Sequence, residues 1–314
     1  MMWNDGCPSY TDICDMLRKW FICCALLSVM VADGNAQLRN LPEGVVEWMS
    51  SPTMRHATVS IEVVDLTENR TLYAYDVERA VQPASLLKLV TTGAALRLLG
   101  GDYVIPDSVC CVDSTLAPIP ELVGYNPDWM IEDVESSYCS ALLQVPDSGM
   151  VLREYVKNTN EKSLNIQAEA LAYLLTPERT LAAGKDTIKN YWGQCGLDTA
   201  ALVMYDACGL APADRLTAHF LTGLLREMKD DEDFCNSLPL ASVSGTVIYF
   251  LRGTPLAGRA LLKTGTTKSV VGYAGYVQGT DNHTYSVVLI VNNSTEQLTI
   301  QRKNIEKMFN LLIP

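Results

Sequence analysis

A serine and a lysine three residues apart are the first groups in this chain that could do chemistry together. Ser85 and Lys88 lie in "QPASLLKLVTTGAALRLLGG", residues 82–101, where nearly every other side chain is apolar. Pro83 precedes the run and Gly100-Gly101 close it, so the stretch predicts a helix over 84–99 that is buried on most faces. Residues three apart on a helix share a face. Ser85 falls in the first turn, where free N–H groups and the positive end of the dipole favour a developing anion. Lys88 is flanked by Leu86, Leu87, Leu89 and Val90, with no acidic residue in the ten positions after it. Burial disfavours the ammonium form and would turn Lys88 into a general base, with Ser85 as its activated nucleophile. The segment alone is also compatible with a serine that caps the helix and a lysine that snorkels to solvent.

Two patterns downstream bear on that choice. Ser163-Leu164-Asn165 stands in "NEKSLNIQAEALAYLL", at the start of a helix-like run, where Ser163 could equally be a simple N-cap. Lys263-Thr264-Gly265 stands in "GRALLKTGTTKSVVGYAGYV", on a predicted strand. There Gly265 removes a side chain where a ligand backbone could lie along the strand, and Lys263 with Thr264 and Thr266 could hold a carboxylate; an exposed lysine before a turn is the plain alternative. At this composition chance supplies fewer than about one S-x-x-K and one S-x-N, and about 0.05 K-T-G, so one of each in this order is not expected by accident.

Other chemistries find no support. The histidines His56, His219 and His283 have no metal-ligand neighbours, and neither H-E-x-x-H nor zinc-type cysteine spacing occurs. A G-x-S-x-G elbow and a glycine-rich phosphate loop are also missing. Hydrolysis here would work without histidine, metal or cofactor. A formal net charge of −12 argues against nucleic acid as a partner.

The elements that must position these groups can be read from periodicity. "HATVSIEVVDL" (56–66) and "RTLYAYDVE" (70–78) predict a hairpin turning at 67–69. Residues 151–175, 180–194 and 214–229 predict helices, and 102–150, with five prolines and no sustained period, a loop-rich insertion. Residues 259–267, 270–278 and 284–293 predict three consecutive strands, and 295–313 an amphipathic helix. Strands at both ends with helices between predict an α/β (α+β) fold, with one antiparallel sheet built from both chain ends and a helical subdomain.

The N-terminus reads as a targeting segment. Arg18-Lys19, an apolar run over 20–32 and Gly34-Asn35-Ala36 form a secretory signal peptide, with cleavage expected after Ala36 and translation expected to start at Met16. Residues 1–15 then form an upstream extension, 37–314 one domain, and the protein is exported with no transmembrane anchor in its mature chain. A short buried apolar helix is the alternative for this run. Of the cysteines in 37–314, Cys110, Cys111, Cys139, Cys195, Cys208 and Cys235, some could oxidise after export.

With the three motifs in place, the chain resembles the D-alanyl-D-alanine carboxypeptidase/endopeptidase family of penicillin-binding proteins, the S13 peptidases. The likeness runs from "SIEVVDLTENRTLYAYDVERAVQPASLLKLVTTGAAL" through "SLNIQAEAL" and "MYDACGLAPADRLTA" to "LPLASVSGTVIYFLRGTPLAGRALLKTGTTKSVVGYAGYV", about 57–293. The motif trio is a known signature of β-lactamases and penicillin-binding proteins. The resemblance implies a β-lactamase/transpeptidase-like fold in the periplasm or cell envelope. It implies Ser85 as nucleophile, Lys88 as its base, Ser163 as proton relay to the departing amine, and Asn165 binding the substrate amide and orienting Lys88. Lys263 and Thr264, with Gly265 between them and Thr266, would take the terminal carboxylate. The N–H groups of Ser85 and Thr266 would form an oxyanion hole. Its substrate would be a peptidoglycan stem peptide ending in D-Ala-D-Ala, its inhibitors β-lactams. The chain departs from the family in lacking most of a large insertion between the first two motifs, with 125–143 as a remnant. It also carries Cys208-Gly209-Leu210 for a usual S-G-L, and Leu164 for a usual acid. The readings to set beside it are a β-lactamase and a degenerate penicillin- or peptidoglycan-binding module. A class-A-type β-lactamase would need a deacylating glutamate, and Glu169 and Glu178 read as helix-face residues.

Overall fold

The computed structural model describes residues 41–111, 131–132, 141–144, 147–177 and 179–314. The expected leader and most of the expected insertion lie outside these residues, as does Glu178. Helix α1 (Glu43–Met49) leads into β1 (Thr58–Asp65) and β2 (Arg70–Tyr75). A 3-10 turn, Ala84–Leu86, runs directly into α2 (Leu87–Leu99). β3 (Ser108–Cys111), β4 (Ile131–Glu132) and β5 (Ala141–Gln144) form a small antiparallel sheet of order β3-β5-β4 within the expected insertion. The helices α3 (Leu152–Lys162), α4 (Asn165–Leu174), α5 (Leu181–Gln194), α6 (Ala218–Met228) and α7 (Glu232–Ser237) follow. The chain closes with β6 (Ala260–Thr266), β7 (Val270–Gln278), β8 (Thr284–Asn292) and α8 (Leu298–Leu312).

The main sheet has the order β2-β1-β8-β7-β6, antiparallel throughout, so both chain ends build it as expected. β1 lies against β8 along its whole length, from Thr58 opposite Asn292 to Asp65 opposite Tyr285. β1, β7 and β8 are buried on both faces, which explains their continuous apolar runs. The hairpin turn between β1 and β2 is organised by the Asp65 carboxylate, which accepts the Thr67 and Glu68 N–H groups at 2.9 and 3.0 Å.

Alternation along the strands sends their side chains to two cores. On the back, Ile61, Tyr273, Val287 and Leu289 pack with α1, α8 and Phe250. On the front, Ala274, Tyr276, Val288 and Ile290 pack with the helical subdomain. α2 is its centre, buried around its full circumference from Leu87 to Leu96. It ends at Gly100, whose φ of 82° lets its N–H return to Leu96 O.

Two expected helices differ in detail. The run 151–175 breaks at Ser163, where φ is +59°, so α3 ends and α4 begins afresh behind an extended Leu164. The run 214–229 becomes helical only at Ala218, because Arg215 and Leu216 are held in bridges to Val203 and Val81, and Thr217 then caps α6 by accepting the Phe220 N–H at 3.0 Å.

Candidate active site

The turn that carries Ser85 is unlike an ordinary helix start. Ala84 has φ +49°, a left-handed conformation costly for a residue with a Cβ, and Ser85 caps nothing. Its hydroxyl instead lies 3.0 Å from Lys88 Nζ. Lys88 does not snorkel: it is fully buried. Its amine also donates to Asn165 Oδ1 and to Cys208 O, both at 2.7 Å. Burial lowers its pKa, against the opposing pull of Cys208, Asp206, Glu169 and Asp214.

The break between α3 and α4 delivers the second motif. Ser163 closes α3 in the left-handed conformation and Asn165 opens α4, so neither caps through its side chain. Asn165 faces Lys88, and Ser163 Oγ accepts from Lys263 Nζ at 2.9 Å. Lys263 is also fully buried rather than exposed before a turn, and donates to Thr264 O at 2.9 Å. Burial, and then the charge of Lys88, holds its pKa well below that of a free lysine. Two polar groups thus meet between α2, the α3–α4 break and β6: Ser85, Lys88 and Asn165 in one, Ser163 and Lys263 in the other, near enough for the charge of Lys88 to act on Lys263.

β6 is an edge strand. Leu262 N–H leaves the sheet to reach Pro239 O, and Thr267 N–H turns inward to Val270 O. By alternation with Leu262 the N–H of Thr266 points out from the open edge. Lys263 and Gly265 face the front, whereas Thr264 and Thr266 face the other way. Their hydroxyls do not meet Lys263 Nζ. Thr264 donates to Thr246 Oγ1 at 2.9 Å, and Thr266 Oγ1 accepts from the Arg302 guanidinium at 3.4 Å.

Gly265 is crowded by the serine turn. A Cβ there would lie 2.6 Å from Pro83 O and 2.9 Å from Leu86 Cγ, so its missing side chain makes room for the serine turn itself. Gly272, its partner across the β6–β7 ladder, likewise clears Leu86 Cδ1. Gly209 does the same from the other side, since a Cβ there would be 1.8 Å from Ala84 O. Three close approaches thus clamp the turn.

Glu169 is not a helix-face residue. It is buried, and its Oε1 accepts the Ala207 N–H at 2.8 Å. Sequence reasoning does not find Thr246, Arg302, Asp206 or Asp214; for the two acids the only signal is the run "DACGLAPAD", which holds both. Cys195, Cys208 and Cys235 are free thiols, and the other expected cysteines have no described side chains.

A model of the D-Ala-D-Ala carboxypeptidase 3 (S13) family matches residues 41–117 and 124–312. The chain belongs to this family. A D-alanyl-D-alanine carboxypeptidase of Actinomadura sp. (strain R39) is 27% identical over 189 residues, covering 57% of this chain. The chain spans only 34% of that relative's length. Among solved structures, penicillin binding protein 4 (dacB) of Haemophilus influenzae, complexed with a β-lactam, aligns at TM-score 0.65 and 14% identity, over 89% of this chain and 99% of that one. A β-lactamase of Chitinophaga pinensis aligns at TM-score 0.58 and 17% identity, over 82% and 93%. The S13 chain thus has the penicillin-binding-protein and β-lactamase fold expected of it.

Proposed function

We propose that this protein is a serine-type D-Ala-D-Ala carboxypeptidase and endopeptidase of peptidoglycan stem peptides, working through an acyl-enzyme on Ser85. The observation that carries the reading is a fully buried amine 3.0 Å from a partly exposed serine hydroxyl. Lys88 takes the Ser85 proton as the oxygen attacks the penultimate D-Ala carbonyl. The oxyanion that forms is stabilised by the N–H groups of Ser85 and Thr266. On collapse, Ser163 passes a proton to the departing D-Ala amine, with Lys263 behind it. Asn165 holds the substrate amide and Lys88 together. Lys263 takes the terminal carboxylate, with Thr264 and Thr266 turning their hydroxyls from Thr246 and Arg302 to reach it around the open edge of β6, and Gly265 lets that edge close on the serine turn. Water then hydrolyses the acyl-enzyme; no cofactor or metal enters a step.

Membership in the S13 family supports this reading, and so does the use of Glu169 to hold Ala207 rather than to face Ser85 as a class-A-type deacylating base would. β-Lactams, which carry an amide and carboxylate in the same relation, would acylate Ser85 in the same way. The basic, apolar and small-residue pattern of 18–36 supports export to the periplasm or cell envelope; among the described residues no helix is long and apolar enough to cross a membrane.

The deciding experiment incubates the protein with labelled penicillin and, separately, with a pentapeptide ending in D-Ala-D-Ala. The expected result is a long-lived label on Ser85 and release of D-Ala. Rapid turnover of penicillin would make the protein a β-lactamase instead. Label without D-Ala release would mark a binding module. No label, with Ser85→Ala indistinguishable from the parent, would remove the catalytic reading altogether.

A further inference from the structure

Lys88 Nζ has three polar neighbours, and two of them can only accept. A neutral amine has two N–H groups and one lone pair. Asn165 Oδ1 and Cys208 O, each at 2.7 Å, claim the two N–H groups, which leaves the lone pair aimed at Ser85 Oγ. The direction of the base is therefore set by where the Cys208 carbonyl stands. That carbonyl belongs to an irregular segment, 205–211, which secondary structure does not hold.

Buried carboxylates hold it instead. Asp206 Oδ1 accepts the N–H groups of Cys208 and Gly209 at 3.0 and 2.6 Å, and its Oδ2 accepts that of Ala211 at 2.6 Å. Glu169, one turn beyond Asn165 on α4, accepts the Ala207 N–H at 2.8 Å. Asp214 accepts the Tyr205 N–H at 2.7 Å. Thr91, on the next turn of α2 from Lys88, donates to Ala207 O at 2.7 Å. Asp206, Glu169 and Asp214 are all buried. Three acids placed out of water behind a catalytic site, each spent on backbone N–H groups of one short loop, cost too much desolvation to be incidental.

Resting on the assignment of Ser85 and Lys88 above, we infer that Asp206, backed by Glu169 and Asp214, is a positioning residue that folds the 205–211 loop so that the Cys208 carbonyl turns the Lys88 lone pair onto Ser85. The same cluster sets the charge around the base. Burial, and next the Asp206 charge, pushes Glu169 up to about 7 and Asp214 up to about 8. The titratable and charged groups facing Lys88 are Glu169 from α4, Asp206, Cys208 and Asp214 from the loop and its flank, and Lys263 from β6.

The test compares the full chain with Asp206→Asn and with Glu169→Gln. It reads the rate of penicillin labelling of Ser85 against pH, and separately the titration of the Lys88 side chain by NMR of 13C-lysine protein, with Lys88→Arg identifying the signal. A neighbouring carboxylate favours the ammonium, so neutralising one lowers the pH at which Lys88 loses its proton. Asp206→Asn is expected to lower the plateau rate about 100-fold through misplacement of the base, and to move both the acid limb and the Lys88 titration to lower pH. Glu169→Gln, whose amide oxygen still accepts the Ala207 N–H, is expected to move them in the same direction by less, and it stands in if Asp206→Asn does not fold. A loss of thermal stability with the Lys88 titration unmoved in both variants would overturn the inference, because a purely structural role predicts that. Should the parent fail to label at Ser85, the proposed function falls, and the Lys88 titration still decides this inference.

Discussion

Behind the main sheet, Phe250, Tyr273 and Phe309 meet ring to ring, with centroids 4.4 to 5.8 Å apart, among Ile61, Val287, Leu289 and the apolar faces of α1 and α8. In front of it, the same depth of burial is spent on Lys88, Lys263, Glu169, Asp206, Asp214, Asn160 and Thr92. The back needs only shape and area to be favourable, whereas each polar group in front must find a partner or cost stability. Conserving the fold and conserving the chemistry are thus separate demands, met on opposite faces of one sheet. α2 shows the boundary: its leucines belong to the front core, while Lys88, one position from Leu87, belongs to the site.

That division can be broken most severely at Lys88. Lys88→Arg should reduce acylation of Ser85 by about 10,000-fold or more, over 5 kcal/mol of barrier, because a guanidinium does not act as a base near neutral pH. In the parent, acylation needs the neutral amine, so the labelling rate should fall as pH drops through the lowered Lys88 pKa, on a limb below that of an ordinary lysine. A limb near pH 10.5 would mean that burial does not tune this group.

On the back, Phe309→Ala should cost about 3–5 kcal/mol of stability by leaving a cavity under two other rings. The folded fraction should still label at Ser85 at the parent rate, measured below the new midpoint. If labelling fell with stability, the two faces would not be separable. In front, Asn160 joins α3 to α2 and α7 through Thr92 at 3.2 Å and Ser237 at 2.9 Å. Asn160→Ala should cost about 1–3 kcal/mol in chemical denaturation, since the Thr92 and Ser237 hydroxyls stay buried and lose the bonds they accept from it. The smallest effect is expected at Arg302, which reaches from α8 to the Thr266 hydroxyl. Arg302→Ala should raise KM about threefold for a substrate with a free terminal carboxylate, and leave kcat and the unfolding midpoint within error.

How far these regions were legible in advance follows from what kind of signal each leaves. Strands 56–66, 70–78 and the final three were readable because β-branched and aromatic residues fill them without interruption between turns. The trio Ser85/Lys88, Ser163/Asn165 and Lys263/Thr264/Gly265 was readable because chemistry ties residue types to fixed local spacings. The break at Ser163 was not, since a single serine in a left-handed conformation leaves a helical pattern intact on either side. The crowding of Gly265 by the serine turn was not readable, because its neighbour is Pro83 O, far along the chain, and no local window contains both. The acids around Lys88 were missed for the same reason: a search of its own segment finds none, and the fold brings three from elsewhere.

The pairing of β1 with β8 along its whole length also has a consequence in time. Ser85 and Lys88 are synthesised well before the strand that carries Lys263 and the strand that locks β1 into the sheet. Closing so long a loop makes the sheet a late and slow event in folding. Until β6 arrives, Gly265 cannot support the serine turn and Lys88 has little reason to stay dry. A nascent or partly folded chain should therefore carry a nucleophile that is chemically inert, with reactivity appearing only as the last strands dock.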